Sequence, residues 1–391
     1  MTAVPAFAEP ATIEALSGLP TPALLLDLDC MDRNIARMQG RLAAHGVPLR
    51  PHVKTCKSDP VARRILGGAP GPITVSTLAE AAHFAGHGYT DILYAVGIAP
   101  GKLGEVVRLR RRGIALRVIL DEVDAARALV AVAERERVSL GVLLEIDCDG
   151  HRSGLDPASE QLLDVADALR SPFVTLDGVL THAGESYGCR TPEALRAMAE
   201  QERLAVVRAA ARLRAAGHAA PIVSVGSTPT ALCAQDLTGV TEVRAGVFVF
   251  FDLVMAGIGV CAPEDIALSV LTTVIGHQRA KGWIVVDAGW MALSRDRGTA
   301  GQAVDQGYGV VCDAGGRILP ELYVGSANQE HGIVMRRDGA AGPIPALPVG
   351  TPLRILPNHA CATAAQHDAY HAFSSRSGLE RWPRLHGWVP G

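Results

Sequence analysis

The sequence predicts an α/β protein: a (β/α)8 TIM barrel over about residues 20–265, then a mainly antiparallel β domain over about residues 266–391. Two observations predict it. From about residue 45, short apolar β-branched runs alternate with longer stretches of helical periodicity, the pattern of parallel strands joined by helices. After about residue 265 the long helical stretches stop, and strand-like runs punctuated by Gly, Pro and Asp take over.

In order, the barrel strands read as "LRPHVKT", "ITVST", "DILYAV", "LRVIL", "GVLLEID", "GVLTHAG", "IVSVGS" and "EVRAGVFVF". Between them lie amphipathic stretches such as "LAEAAHFAGHG", "KLGEVVRLRRRG" and "VDAARALVAVAERER". The longest, "TPEALRAMAEQERLAVVRAAARLRAAG", ends at Gly217, a residue suited to a helix C-terminus. Eight such units in about 220 residues favour a barrel over an open doubly wound sheet. The β domain is expected from "ALSVLTTVIGH", "GWIVVDAGW", "GYGVVCD" and "LRILPNHACA". The early run "ALLLDLD", residues 23–29, precedes the first barrel helix and is a candidate to pair with that domain.

Composition narrows the function. At 391 residues the chain is longer than one average domain. A net charge of -3 without a basic block argues against nucleic acid as a partner. No apolar run reaches the length of a membrane span. The N-terminal "MTAVPAFAEPATIEALSGLP" lacks the basic and continuous apolar regions of a signal peptide. Eight scattered cysteines read as free thiols, and the expectation is a cytoplasmic protein.

In a barrel of this kind chemistry sits at the C-terminal ends of the strands. Lys54 closes the first strand, "HRSG" with Arg152 follows the fifth, and "THAGESY" with His182 and Tyr187 closes the sixth. "GSTPT", residues 226–230, follows the seventh, and "RAGVF", residues 244–248, lies in the eighth. Loops after the last two strands often bind phosphate at a helix N-terminus. Gly226 and Gly246 would let backbone approach an anion, and Ser227 and Thr228 offer donors. "GSTPT" is equally a plain helix cap. A phosphate site, a lysine and an arginine able to face a ring nitrogen are the parts that pyridoxal phosphate requires. Desolvation at the barrel mouth would favour the free Lys54 amine. The plainer alternatives are a solvated loop lysine and a surface ion pair for Arg152.

The β domain carries "LPNHACAT". His359 and Cys361, at i and i+2 on one face of a strand, could share a metal ion, and imidazole with thiolate suits zinc. A buried cysteine beside a hydrogen-bonded histidine explains the same pair. Glu330 and His331 in "NQEHG" are acid–base candidates or an ordinary turn.

Taken in order, "TPALLLDLD", "RPHVKT", "HRSG", "GSTPT", "AGVFVFFD", "VDAGW", "QEHG" and "PNHACAT" resemble the fold-type III pyridoxal-phosphate enzymes. More narrowly, they resemble the D-serine dehydratase and D-threonine aldolase group, over about residues 20–390. The resemblance implies an alanine-racemase-like barrel with a C-terminal β domain, found as a homodimer or a monomer. It implies Lys54 as the Schiff-base lysine and Arg152 near the pyridine nitrogen. Tyr187, Ser227, Thr228, Gly246 and Val247 would hold the phosphate. His359 and Cys361 would bind a divalent metal: zinc, with manganese or cobalt as alternatives. The implied substrate is a small D-β-hydroxy amino acid. Elimination from 3-hydroxyaspartate would give oxaloacetate and ammonia; elimination from D-serine would give pyruvate. Aldolases of the group tend to carry H-x-D where this chain has His359-x-Cys361, so the chain leans toward the dehydratases. An aldolase, a D-serine ammonia-lyase and a non-enzymatic cofactor carrier are the competing expectations. Leu180 departs from the pattern, since some D-serine dehydratases have tyrosine there. A substrate with a second carboxylate would need a further cation, and Arg295 and Arg297 in "SRDRGTA" are candidates, as well as being ordinary surface charges.

Overall fold

The computed structural model describes residue 16 and residues 18–339, 343–375 and 378–388. The stretch read above as unlike a signal peptide lies, through residue 15, outside the described residues. The chain forms two compact units: Arg37–Gly246 with Gly387–Gly391, and Met1–Ala36 with Val247–His386.

β1 (Ala23–Asp27) opens the described fold and runs directly into α1 (Leu28–Ala43). Asp27 accepts from the backbone N–H of Cys30 at 2.9 Å, which satisfies one free donor of that helix start.

The α/β unit holds a parallel sheet of seven strands in sequence order. These are β2 (Ile73–Val75), β3 (Asp91–Gly97), β4 (Ala115–Leu120), β5 (Leu140–Ile146), β6 (Val174–Thr181), β7 (Ile222–Val225) and β8 (Glu242–Val243). The helices α2 (Asp59–Ile65), α3 (Leu78–Gly86), α4 (Leu103–Arg111), α5 (Val123–Glu136), α6 (Gln161–Ala168), α7 (Pro192–Ala215) and α8 (Thr228–Cys233) accompany them. Thr191 caps α7 through its side chain, and Gly217 follows that helix at φ 87°, a left-handed position that glycine accepts without strain.

The first expected strand, "LRPHVKT", is not a regular ladder. Isolated bridges join Leu49 to Val243 and His52 to Thr74. Arg50 and His52 donate to the carbonyls of Val243 and Ala245, both at 2.8 Å, while Thr74 donates to Pro51 at 2.9 Å. The segment therefore bonds to both β8 and β2. Pro51 has no N–H to donate, which prevents a continuous ladder. The eighth expected strand is also short: β8 ends at Val243, so residues 244–248 lie beyond it, and Val247–Val249 form a helical turn. Leu93, Ile119, Leu143 and Leu180 pack together from four adjacent strands. Leu180, the departure noted above, is thus a core residue.

Apart from the start of α1, the second unit is a β structure with short helices only. Its further strands are β9 (Leu268–Gln278), β10 (Trp283–Val286), β11 (Val310–Asp313), β12 (Ile318–Ala327), β13 (Gly332–Arg336), β14 (Pro352–Leu356), β15 (Ala369–Phe373) and β16 (Glu380–Pro383). Strand order is β10-β13-β12-β11-β14-β9-β1-β15-β16, and an additional β10–β9 pairing closes six strands into an antiparallel barrel. β1 pairs antiparallel with β9 and parallel with β15, so the early strand does join the β unit. The short helices are α9 (Leu253–Gly257), α10 (Trp290–Leu293) and α11 (Ala360–Ala364). Among the described residues no helix is long and apolar enough to cross a membrane.

Candidate functional site

Two lysines close together in sequence meet different fates. Lys57 reaches Glu80 at 3.2 Å, a carboxylate buried at the start of α3 that also accepts from the backbone and hydroxyl of Ser76. Lys54 follows the bridged segment and is exposed; among the described residues it has no carboxylate partner. The expected desolvation of Lys54 is therefore absent, and its availability comes from lacking an anion instead.

Two imidazoles stand near that amine. His182, just past β6, hydrogen-bonds through Nδ1 to the Gly226 carbonyl at 2.6 Å. Because the carbonyl can only accept, the proton sits on Nδ1. Burial, then the charge of Lys54, pushes His182 down to about 3. His52 is lowered for the same two reasons. Both rings are thus neutral.

Ser227 is the N-cap of α8, accepting from the N–H of Thr230 at 3.3 Å, so the capping role is real. Its hydroxyl also meets Ser186 Oγ at 3.0 Å. That contact brings the turn Gly184–Gly188, which carries Tyr187, against the start of α8. Thr228 is buried in the first turn of α8. A Cβ on Gly226 would overlap the Arg244 carbonyl, so its missing side chain is already required by packing of β7 against the following strand. At Gly246 a Cβ would come within 2.8 Å of the His52 carbonyl and of Thr55 Oγ1. Val247 is buried at the start of its helical turn. Arg152 is exposed and faces Glu145, buried on β5, at 3.6 Å.

Sequence reasoning missed two buried charges here. Glu202 of α7 accepts from the backbone N–H groups of Ala183 and Gly226, at 3.1 and 3.0 Å, and so ties the His182 turn to the Ser227 turn. Arg244 donates to Ser224 at 2.6 Å and to the Thr181 carbonyl at 2.5 Å. A helix-face glutamate gives no sequence signal for either contact.

The β unit places His359 and Cys361 differently from expectation. They do not share a strand face. β14 ends at Leu356; His359 is the N-cap residue of α11, and Cys361 lies in its first turn. Pro357 cannot extend the ladder. Asp252 accepts from the N–H of Ala360 at 2.9 Å, doing the capping that His359 does not. The imidazole is left to donate from Nδ1 to Asp296 at 2.7 Å. Its other side lies within hydrogen-bond reach of Cys361. Burial pulls His359 down, but the bonds to Asp296 and Cys361 outweigh it and hold the group up to about 11.

Among the described residues no group of three or more His, Cys, Asp or Glu is arranged to hold a metal ion. His359 and Cys361 still fit a divalent cation by donor type: Asp296 fixes the Nδ1–H tautomer, which leaves Nε2 and the thiol for the ion. Two protein ligands leave positions for water or substrate. On the α/β unit, an unpaired amine, a hydroxyl-bearing helix start and Arg152 fit the donors that pyridoxal phosphate needs. Glu330 and His331 lie in the turn between β12 and β13, where Asn328 donates to the His331 carbonyl.

The comparisons agree with this architecture. Residues 26–254 match the alanine racemase N-terminal domain, and residues 267–373 match the putative serine dehydratase domain. The chain is 58% identical to D-threo-3-hydroxyaspartate dehydratase of Delftia sp. (strain HT23), over 96% of this chain and 100% of that one. The solved structure of that enzyme superposes with a TM-score of 0.93 at 57% identity, covering 96% of this chain and all of the other. Histidine-to-alanine and cysteine-to-alanine variants of it, the second in a metal-free form, superpose equally well, with TM-scores of 0.93. The two altered residues are two positions apart, the spacing of His359 and Cys361. D-serine dehydratase of Dictyostelium discoideum is 29% identical, over 92% of this chain and 95% of that one. The 3-hydroxy-D-aspartate aldolase of Paracoccus denitrificans (strain Pd 1222) is 30% identical, over 94% and 92%. The chain belongs to the fold-type III pyridoxal-phosphate enzymes of the D-serine dehydratase and D-threonine aldolase family.

Proposed function

We propose that the protein is a pyridoxal-phosphate- and divalent-metal-dependent lyase that converts D-threo-3-hydroxyaspartate to oxaloacetate and ammonia. The observation that carries this reading is the pairing of His359 with Cys361, buttressed by Asp296, in a chain 58% identical to a dehydratase of that substrate. The H-x-C spacing speaks against the aldolases, which tend to carry H-x-D, and the β unit speaks against a cofactor carrier. We read the seven parallel strands and the bridged segment at residues 49–53 as one closed eight-membered barrel.

Bound pyridoxal phosphate supplies an electron sink for charge developing at the α-carbon. Lys54 would hold the cofactor through Nζ, and the same nitrogen would accept the α-proton. Arg152, with Glu145 at 3.6 Å, would stand toward the ring nitrogen. Tyr187, Ser227, Thr228, Gly246 and Val247 surround the phosphate. His52 and His182 stand near Lys54 as neutral rings and add no positive charge there. His359 and Cys361 would hold a divalent ion, zinc in preference to manganese or cobalt, which when bound would supply Lewis acidity. Loss of water followed by hydrolysis gives the keto acid and ammonia.

The test is a product assay. Purified protein with cofactor and zinc is incubated separately with D-threo-3-hydroxyaspartate, D-serine and D-threonine. Oxaloacetate and ammonia from the first, with slower pyruvate from D-serine, are expected. Glycine plus an aldehyde would move the assignment to an aldolase, and no turnover of any of the three would overturn it.

A further inference from the structure

The proposed substrate carries a second carboxylate on the same carbon as the departing hydroxyl. A cation for it must stand beside the metal-holding segment. The loop after α10 is bound to that segment at three points. Thr363 donates to the Leu293 carbonyl at 2.9 Å, His359 to Asp296 at 2.7 Å, and Thr299 to Asn358 at 2.6 Å. Between the outer two tethers lie two cations, Arg295 and Arg297.

Their surroundings separate them. Arg297 is neutralised by Asp305 at 2.7 Å and lies over the ring of Tyr308, at 5.1 Å from its centroid. Arg295 is exposed, and among the described residues it has no carboxylate partner. Its guanidinium lies 4.5 Å over the Trp290 ring. Stacking on an aromatic face occupies the flat side of the guanidinium and leaves its in-plane N–H fork free for a carboxylate. The platform is fixed: Trp290 and Met291 donate to the carbonyls of Asn328 and Gln329 at 2.9 and 3.1 Å. Ser294 is fixed too, at φ 74°, with its hydroxyl accepting from the N–H of Asp296 at 2.9 Å.

We propose that Arg295, stacked on Trp290, is the specificity-determining residue that receives the β-carboxylate of the substrate. The inference rests on the dehydratase reading above and goes beyond it by naming the group that selects a dicarboxylic substrate over D-serine.

The experiment compares wild type with Arg295→Gln, Arg295→Lys and Arg297→Gln, each loaded with cofactor and zinc. Kinetics are measured on D-threo-3-hydroxyaspartate and D-serine. Binding of D-aspartate and D-alanine, neither of which can lose a hydroxyl, is followed by calorimetry. Arg295→Gln is expected to lower kcat/KM on the dicarboxylate by about 10- to 100-fold, the worth of hydrogen bonds to a charged group, with D-serine changed less than about twofold. D-Aspartate should bind correspondingly weaker and D-alanine as before. Arg295→Lys should restore part of the selectivity. Equal losses on both substrates, or the selective loss arising in Arg297→Gln alone, would overturn the proposal. Wild-type protein inert toward both substrates fails the dehydratase reading itself; wild-type protein that turns over D-serine as well as the dicarboxylate fails only the role of Arg295.

Discussion

Replacing Asp296 by Asn tests the metal centre without touching a ligand. Asp296 holds Nδ1 of His359 at 2.7 Å, so Nε2 is left as the free donor. Losing a carboxylate behind a ligating histidine typically weakens metal affinity 10- to 100-fold. That range equals about 1.4–2.7 kcal/mol, which agrees with the usual worth of a hydrogen bond to a charged group. A second effect opposes it. Asp296 also helps keep a proton on His359, holding the group up to about 11, and an entering ion must displace that proton. Asn relaxes that hold and so recovers part of the loss. The expected net change is about tenfold, at the low end of the range. The assay is zinc titration of chelator-stripped protein against a competing dye, with Cys361→Ala as the reference for loss of a ligand and circular dichroism as the check of folding. Asp296→Asn protein that is folded and binds zinc as tightly as wild type would refute the orienting role.

Other outcomes follow from the same contacts. Lys54→Ala protein supplied with cofactor should lack the visible absorption of an internal imine; its persistence would remove Lys54 from that role. His182 is held down to about 3 and His52 is also lowered, so the unfolded chain binds protons that the folded chain refuses once the pH drops below about 6.5. The stability that these two rings contribute should therefore be full above that pH and fall as the pH is lowered toward 3, which urea midpoints at stepped pH will show; a midpoint independent of pH between 6.5 and 5 would contradict neutral rings. Glu202→Leu strands the N–H groups of Ala183 and Gly226 and should cost about 2–6 kcal/mol in denaturant unfolding, while Glu202→Gln keeps an acceptor and should cost less.

How much of the fold was legible follows from how local its causes are. β3 to β7 are largely apolar runs between helices with clear periods, broken chiefly by Arg117 on β4 and Asp177 on β6, and each was readable because a buried parallel strand is mostly apolar on both faces. The two ends of the sheet were not. "LRPHVKT" looks like a strand, but Pro51 withholds one donor and leaves only bridges. "EVRAGVFVF" ends in the apolar run 245–250, and periodicity cannot tell a buried strand from a buried helical turn; the chain switches between them at Gly246. The closure of the β unit depends on β10 pairing with both β9 and β13, which no short window contains.

At the candidate site, residue types were legible and their partners were not. His359 and Cys361 stand out as ligand chemistry, yet what orients them comes from Asp296, 63 positions from His359, and Asp252, 108 positions from Ala360. The same holds for each pair of cations. Lys54 and Lys57 are equivalent in the sequence until Glu80 claims Lys57, and Arg295 and Arg297 are equivalent until Asp305 claims Arg297. In both pairs the reactive candidate is the cation without an anion among the described residues. A buried or paired charge has already found its counter-ion and has little to gain from a ligand, whereas an unpaired one beside a rigid platform keeps its full attraction for an incoming carboxylate. Adding an acid beside Lys54 or Arg295 should therefore impair function more than an equivalent acid placed beside Lys57 or Arg297, where the cation is already satisfied.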